Sequence, residues 1–179
     1  MKWSKLKTAI EGLLADSMQG RLQLHSARYS TDVASMMARA WITWDKQELF
    51  NISTAAWLRD YRDLVHQLRV INQCTDFTDP NQRAAYDTAS EEAKAILRAR
   101  GIYSREEFFA ALEAYLTISI EEALHSSNTI IKAIAMTDRR LGKRRLQKIA
   151  ADEIESSLIR RLYQLRCEVE GIQAQTNAP

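Results

Sequence analysis

The chain has 179 residues, of which 46% are apolar and 27% charged, with five glycines, two prolines, two cysteines and a formal charge of +2. These values exclude a disordered, collagen-like or disulfide-scaffold class and favour long helices over turn-dense β architecture. No run approaches the ~18 apolar residues that cross a bilayer. No secretory apolar core follows Met1-Lys2-Trp3-Ser4-Lys5-Leu6-Lys7, so the expectation is a cytoplasmic protein without membrane contact, with Cys74 and Cys167 as free thiols.

The first predicted element is a helix over about 4–16, where Leu6, Ile10, Leu13 and Leu14 recur at helical spacing and Ser4 is placed to cap. Gly20 marks the loop after it. From Arg21 the period becomes two: 21–25 alternates as a half-buried strand does. A second strand follows over 36–44, with Ala38, Ala40, Ile42 and Trp44 on one face and Met37, Arg39, Trp41 and Thr43 on the other. Asp45-Lys46 separates it from a third strand over 48–52, as in a hairpin, though without the usual turn glycine. Such a meander cannot stand alone and needs helices to cover one face.

Helical spacing returns after Thr54, where Leu58, Tyr61, Leu64, Val65, Leu68 and Ile71 form a stripe to about Gln73. Asp79-Pro80 reads as an N-cap followed by a first helical residue, opening an alanine-rich helix that ends before Gly101. Ser104-Arg105-Glu106-Glu107 has capping-box form, and the helix it opens is predicted to run to about Leu124. His125 to Asn128 breaks the pattern, and a further helix begins at Ile130. The last predicted helix spans about 151–170, with Ile154, Leu158, Leu162, Leu165 and Val169 inward and Gly171 as its stop. The expected architecture is α+β: a three-stranded antiparallel meander near the N-terminus packed against five or six helices. One domain spans 1–179, with helix and sheet over 1–54, a helical part over 55–172 and a frayed tail over 173–179.

The small net charge hides an uneven distribution. Residues 76–124 carry ten acidic against five basic side chains, and residues 132–148 carry seven basic against one acidic. Within the second stretch lies Asp138-Arg139-Arg140-Leu141-Gly142-Lys143-Arg144-Arg145-Leu146. Arg139, Arg140, Lys143, Arg144 and Arg145 are candidate anion contacts, since guanidinium groups present forked donors and lysine a point charge. The competing reading is a surface turn whose cations pair with the acidic middle of the chain. In either case Leu141 and Leu146 should point inward, and Asp138 should cap the segment or pair with a nearby arginine.

His25, His66 and His125 stand in no metal-ligand spacing, no P-loop, G-x-G-x-x-G or G-x-S-x-G occurs, and neither a metal nor a cofactor is implied. The pairs Glu91-Glu92, Glu106-Glu107 and Glu121-Glu122 read as helix-stabilising charges, because adjacent residues diverge by about 100° around a helix. Met37, Arg39 and Trp41 share a strand face and form a candidate interaction surface if helices cover only the other face.

Three segments together carry a family resemblance: Lys2-Trp3-Ser4-Lys5-Leu6-Lys7, Trp41-Ile42-Thr43-Trp44-Asp45 and the Asp138–Leu146 motif. In these the chain resembles a family of short uncharacterised bacterial proteins, some of which carry the label non-ribosomal peptide synthase. The resemblance assigns no catalytic residue. An adenylating or condensing enzyme needs an adenylate pocket or acyl-transfer histidines, and neither is visible. Asp16-Ser17-Met18 matches the Asp-Ser-apolar core of a phosphopantetheine attachment site. However, Leu14-Ala15 replaces the expected glycines, and a carrier protein is a shorter, all-helical bundle.

The functional expectation is a non-enzymatic binding or regulatory module with a basic, anion-contacting segment. Its partner would be a phosphate ligand, nucleic acid, another protein or a second copy. The alternatives are an oligomeric scaffold and a small enzyme on a phosphorylated or anionic substrate. The enzyme would use Arg139, Lys143 or Arg144 as anchor and His25 or His125 as acid–base.

Overall fold

The computed structural model describes residues 1–27, 38–149, 154 and 156–173. The first helix, α1, spans Trp3–Glu11, so Ser4 lies inside it and is not its cap. The N-cap is Lys2, which supplies no side-chain acceptor. Packing of the Trp3 ring against Phe109, with centroids 4.7 Å apart, holds the first turn instead. The helix also stops earlier than its apolar spacing suggested. Gly12 caps it, Leu14 forms an antiparallel bridge with Asp138, and Asp16–Met18 is a 3₁₀ turn.

Three strands, β1 (Leu22–Ala27), β2 (Arg39–Trp44) and β3 (Gln47–Ser53), form a sheet in the order β1-β2-β3. This is the antiparallel meander expected near the N-terminus. Leu22, Leu24, Ala40, Ile42 and Ile52 are buried, as the two-residue period requires. Residues 28–37, including the Met36-Met37 start of the expected second strand, lie outside the described residues.

The β2–β3 turn satisfies its backbone demand without glycine. Asp45 and Lys46 have φ of 48° and 69°, both positive as a type I′ turn needs. The Arg21 guanidinium forks onto the Asp45 carboxylate at 2.9 and 2.5 Å and lies 4.2 Å over the Trp44 ring. Asp45 N–H donates to the Arg21 carbonyl at 3.0 Å. Hydrogen bonding from Arg21 holds the Asp45 carboxyl below its ordinary pKa. A lysine in the left-handed region costs about 1–2 kcal/mol, which glycine would avoid at some loss of chain entropy. Lys46→Gly should therefore raise stability by about 0.5–1 kcal/mol, visible as a higher urea midpoint. An unchanged or lower midpoint would refute this.

The chain forms two compact units. One comprises Ala27–Arg39 and Ile52–Arg105. In it α2 (Thr54–Ile71) and α3 (Pro80–Ala99) pack together. Asp79 caps α3 by accepting from the Asn81 N–H at 2.9 Å, with Pro80 as the first helical residue. The α2 stripe is less buried than its spacing implied. Val65 is buried, Leu58, Leu64 and Leu68 are half-buried, and Ile71 is 72% exposed. The buried residues of α3 are Ala89, Ala93 and Leu97, two of them short, and α2 ends at Ile71. Positive φ at Gln73 then turns the chain away. The Arg69 guanidinium lies 3.4 Å over the Tyr86 ring and donates to Ser90 Oγ at 2.9 Å.

The other unit comprises Met1–Ser26, Ala40–Asn51 and Glu106–Pro179. Its helices are α4 (Arg105–Tyr115, whose first residue belongs to the other unit), α5 (Ile120–His125), α6 (Thr129–Thr137), α7 (Lys143–Leu146) and α8 (Ser157–Glu170). Eight α-helices thus occur among the described residues, against the five or six expected. One extra arises where the predicted 104–124 helix divides. Ser119, which falls inside that predicted helix, is an N-cap in a reciprocal capping box with Glu122. Another is the four-residue α7. The last helix starts from a Ser156 cap rather than near Ala151, and residues 151–153 lie outside the described residues. Ile154, Leu158, Leu162 and Leu165 are buried as expected. In α6 every residue from Ala133 to Thr137 is buried, with Ile130 and Ile131, and this all-round apolar helix packs on α8.

Candidate functional site

The basic segment begins where α6 ends. Asp138 is the C-cap of α6, and the chain there pairs with the stretch after α1. Ala15 N–H donates to the Thr137 carbonyl and Arg139 N–H to the Leu13 carbonyl, each at 2.8 Å. Asp138 is 1% exposed, so its charge needs partners. It has four donors: the Tyr115 hydroxyl at 2.6 Å, the Arg140 backbone N–H at 2.7 Å, and Arg140 Nε and Nη2 at 3.0 and 2.8 Å. Burial, reinforced by the Asp138 carboxylate, pushes the Tyr115 hydroxyl pKa well above its usual value. The expected pairing of Asp138 with a nearby arginine is therefore present, and Leu141 and Leu146 are fully buried as anticipated.

Arg166, which the sequence reading missed, staples the segment to α8. Its side chain is buried. Nη1 donates to the carbonyls of Met136 (3.3 Å) and Asp138 (2.8 Å), Nη2 to that of Leu141 (3.0 Å), and Nε to Glu170 Oε1 (2.8 Å). A signal was present. Arg166 stands four residues after the inward Leu162 and four before Glu170, so helical spacing places a cation on the buried face.

The five candidate cations divide into two groups. Arg140 is held by Asp138, and Arg145 forms an ion pair with Glu121, in the acidic middle of the chain. Arg139, Lys143 and Arg144 are exposed and have no carboxylate partner among the described residues. Arg139 and Lys143 line a cleft of about 560 Å³, with Arg166 at its wall and Gly142 between them in sequence. Arg144 does not line it. The cleft also presents Asp16, Ser17 and Glu170. Ser17 Oγ donates to Glu170 Oε1 at 3.2 Å. The Glu170 side chain is only 6% exposed, and its Oε2 is buried with no hydrogen-bond partner among the described residues.

No histidine lines this cleft. His25 Nε2 lies 2.9 Å from Thr43 Oγ1, with its ring stacked on Trp41 at 5.1 Å, and burial lowers its pKa. His125 Nδ1 lies 2.9 Å from the Glu121 carbonyl. Of the candidate interaction surface, Met37 lies outside the described residues, while Arg39 and Trp41 are half-buried on β2. Cys74 and Cys167 are free and buried, and burial raises the Cys167 thiol pKa. Among the described residues no group of three or more histidine, cysteine or carboxylate side chains is placed to hold a metal, and no helix is long and apolar enough to cross a membrane.

A family model described as the SF0329 protein family matches residues 2–167. No curated protein and no solved structure gives a significant match.

Proposed function

The chain belongs to the SF0329 protein family, and from that premise and the geometry of the basic segment we propose that it is a binding or regulatory module that seats an anionic ligand against Arg139 and Lys143. The observation that carries this reading is the division of the five cations. Carboxylates of the same chain neutralise Arg140 and Arg145, whereas Arg139 and Lys143, on the wall of a cleft, have no such partner among the described residues. A guanidinium and an ammonium beside one concavity suit a phosphate or carboxylate group. Acid–base catalysis is the weaker reading, because no histidine lines the cleft and Glu170 is tied to Arg166 and Ser17. We place the protein in the bacterial cytoplasm, a reading supported by two buried free thiols and by the family resemblance of its motifs.

Inorganic phosphate at constant ionic strength is the direct probe. At 100 times its dissociation constant it should stabilise the protein by about 2.7 kcal/mol, read as a rise in Tm. Arg139→Ala and Lys143→Ala should each weaken binding about tenfold, while Arg144→Ala should leave it unchanged. Equal responses from all three variants would refute the assignment of the site.

A further inference from the structure

Resting on that anion seat, we infer that the natural ligand of the cleft is a small zwitterion, with its anionic group against Arg139 and Lys143 and its ammonium against Asp16 and Glu170. The cleft is lined by charges of both signs, and its carboxylates are not used up. Asp16 is exposed, and its one side-chain donor among the described residues is Gln19 Nε2 at 3.5 Å. Glu170 receives Arg166 Nε and Ser17 Oγ, but both bonds end on Oε1. A carboxylate has room for about four donors, and a buried acceptor with none is a free-energy cost that few native structures carry unused. Oε2 of Glu170 is such an acceptor, on a side chain that lines the cleft. A ligand ammonium held by Asp16 would satisfy it once the Glu170 carboxylate turns toward the cleft.

The same charges argue against a polyanion. A nucleic-acid strand needs a continuous row of cations for successive phosphates. Here Arg140 and Arg145 are already neutralised, and the cleft is lined by the carboxylates of Asp16 and Glu170 as well as by cations. The volume of about 560 Å³ lies within the range of small-molecule sites.

Three probes separate the possibilities on the full chain by calorimetric titration. O-phosphoethanolamine carries both charges, inorganic phosphate only the anion, and ethanolamine only the ammonium. The expected result is O-phosphoethanolamine binding about tenfold tighter than phosphate, with no measurable binding of ethanolamine. Asp16→Asn, at an exposed position, should remove most of that advantage without weakening phosphate binding. Glu170→Gln should do the same if it folds. Phosphate binding as tightly as O-phosphoethanolamine, through Arg139 and Lys143, would overturn the zwitterion while leaving the anion seat intact. Failure of both phosphate compounds to bind would overturn the two together.

Discussion

Arg166→Met should lower the stability of the protein by about 3–5 kcal/mol, the range found when one partner of a buried ion pair is removed. The substitution keeps an unbranched apolar stem of similar length but deletes all four hydrogen bonds of the guanidinium. It strands the Glu170 carboxylate at 6% exposure and leaves the carbonyls of Met136, Asp138 and Leu141 short of a donor. Against a total stability of about 5–15 kcal/mol for an ordinary domain, this is a large fraction. A urea titration should show the midpoint falling with little change in slope. Arg166→Lys should recover only part of the loss, since an ammonium cannot reproduce a planar fork aimed at carbonyls on two sides. Arg166→Met combined with Glu170→Leu should be more stable than Arg166→Met alone, because removing both charges abolishes the stranded one. If the single variant is as stable as the parent, the buried arginine is not what fastens the segment to α8.

The contrast between Arg166 and the Asp138–Leu146 motif shows how much of the molecule was legible in the sequence. Elements set by local chemistry were readable. The two-residue period of the sheet, the Asp79-Pro80 start of α3 and the Gly171 stop of α8, with its φ of 64°, all stand where backbone rules put them. Ser104 and Ser119 show the ambiguity that remained. Both precede a glutamate by three residues. Only the first was read as a break, because Ser119 fits an apolar period when the interruption at Thr117 and Ile118 is ignored. The basic motif was visible as composition, and its inward leucines and Asp138–Arg pairing followed from spacing. Arg140 is paired locally, by Asp138, but the partner of Arg145 lies far away in sequence. Glu121 reaches Arg145 across 24 positions, and Arg166 reaches the Asp138 carbonyl across 28. No helical period encodes those contacts, so Arg139 and Lys143 could not be told from Arg145 beforehand.

Asp138→Ala is expected to cost about 3–4 kcal/mol, through a different mechanism from that of Arg166. The Asp138 carboxylate accepts the hydrogen bond of the buried Tyr115 hydroxyl, and it fixes the Arg140 backbone at the first step after α6. Its removal leaves a buried hydroxyl without its acceptor, at about 1–3 kcal/mol, and also removes the charge-assisted contact to Arg140. Tyr115→Phe removes the hydroxyl together with its need for a partner and should cost only about 1–2 kcal/mol. A double-mutant cycle between the two should give a coupling of about 0.5–3 kcal/mol. The pair also predicts the alkaline limb of stability. Burial and Asp138 raise the Tyr115 pKa above the value near 10 that it has when unfolded, and burial raises that of Tyr163 to about 12. Above pH 10 the unfolded chain therefore releases tyrosine protons that the folded chain retains. Stability is fully present below that pH and falls as pH rises through the folded values. Urea midpoints measured from pH 8 to 12 should decline less steeply for Tyr115→Phe than for the parent. Parallel profiles, or a coupling near zero, would mean that Asp138 and Tyr115 do not act as one unit, and the framework holding Arg139 and Lys143 at the cleft would have to lie elsewhere.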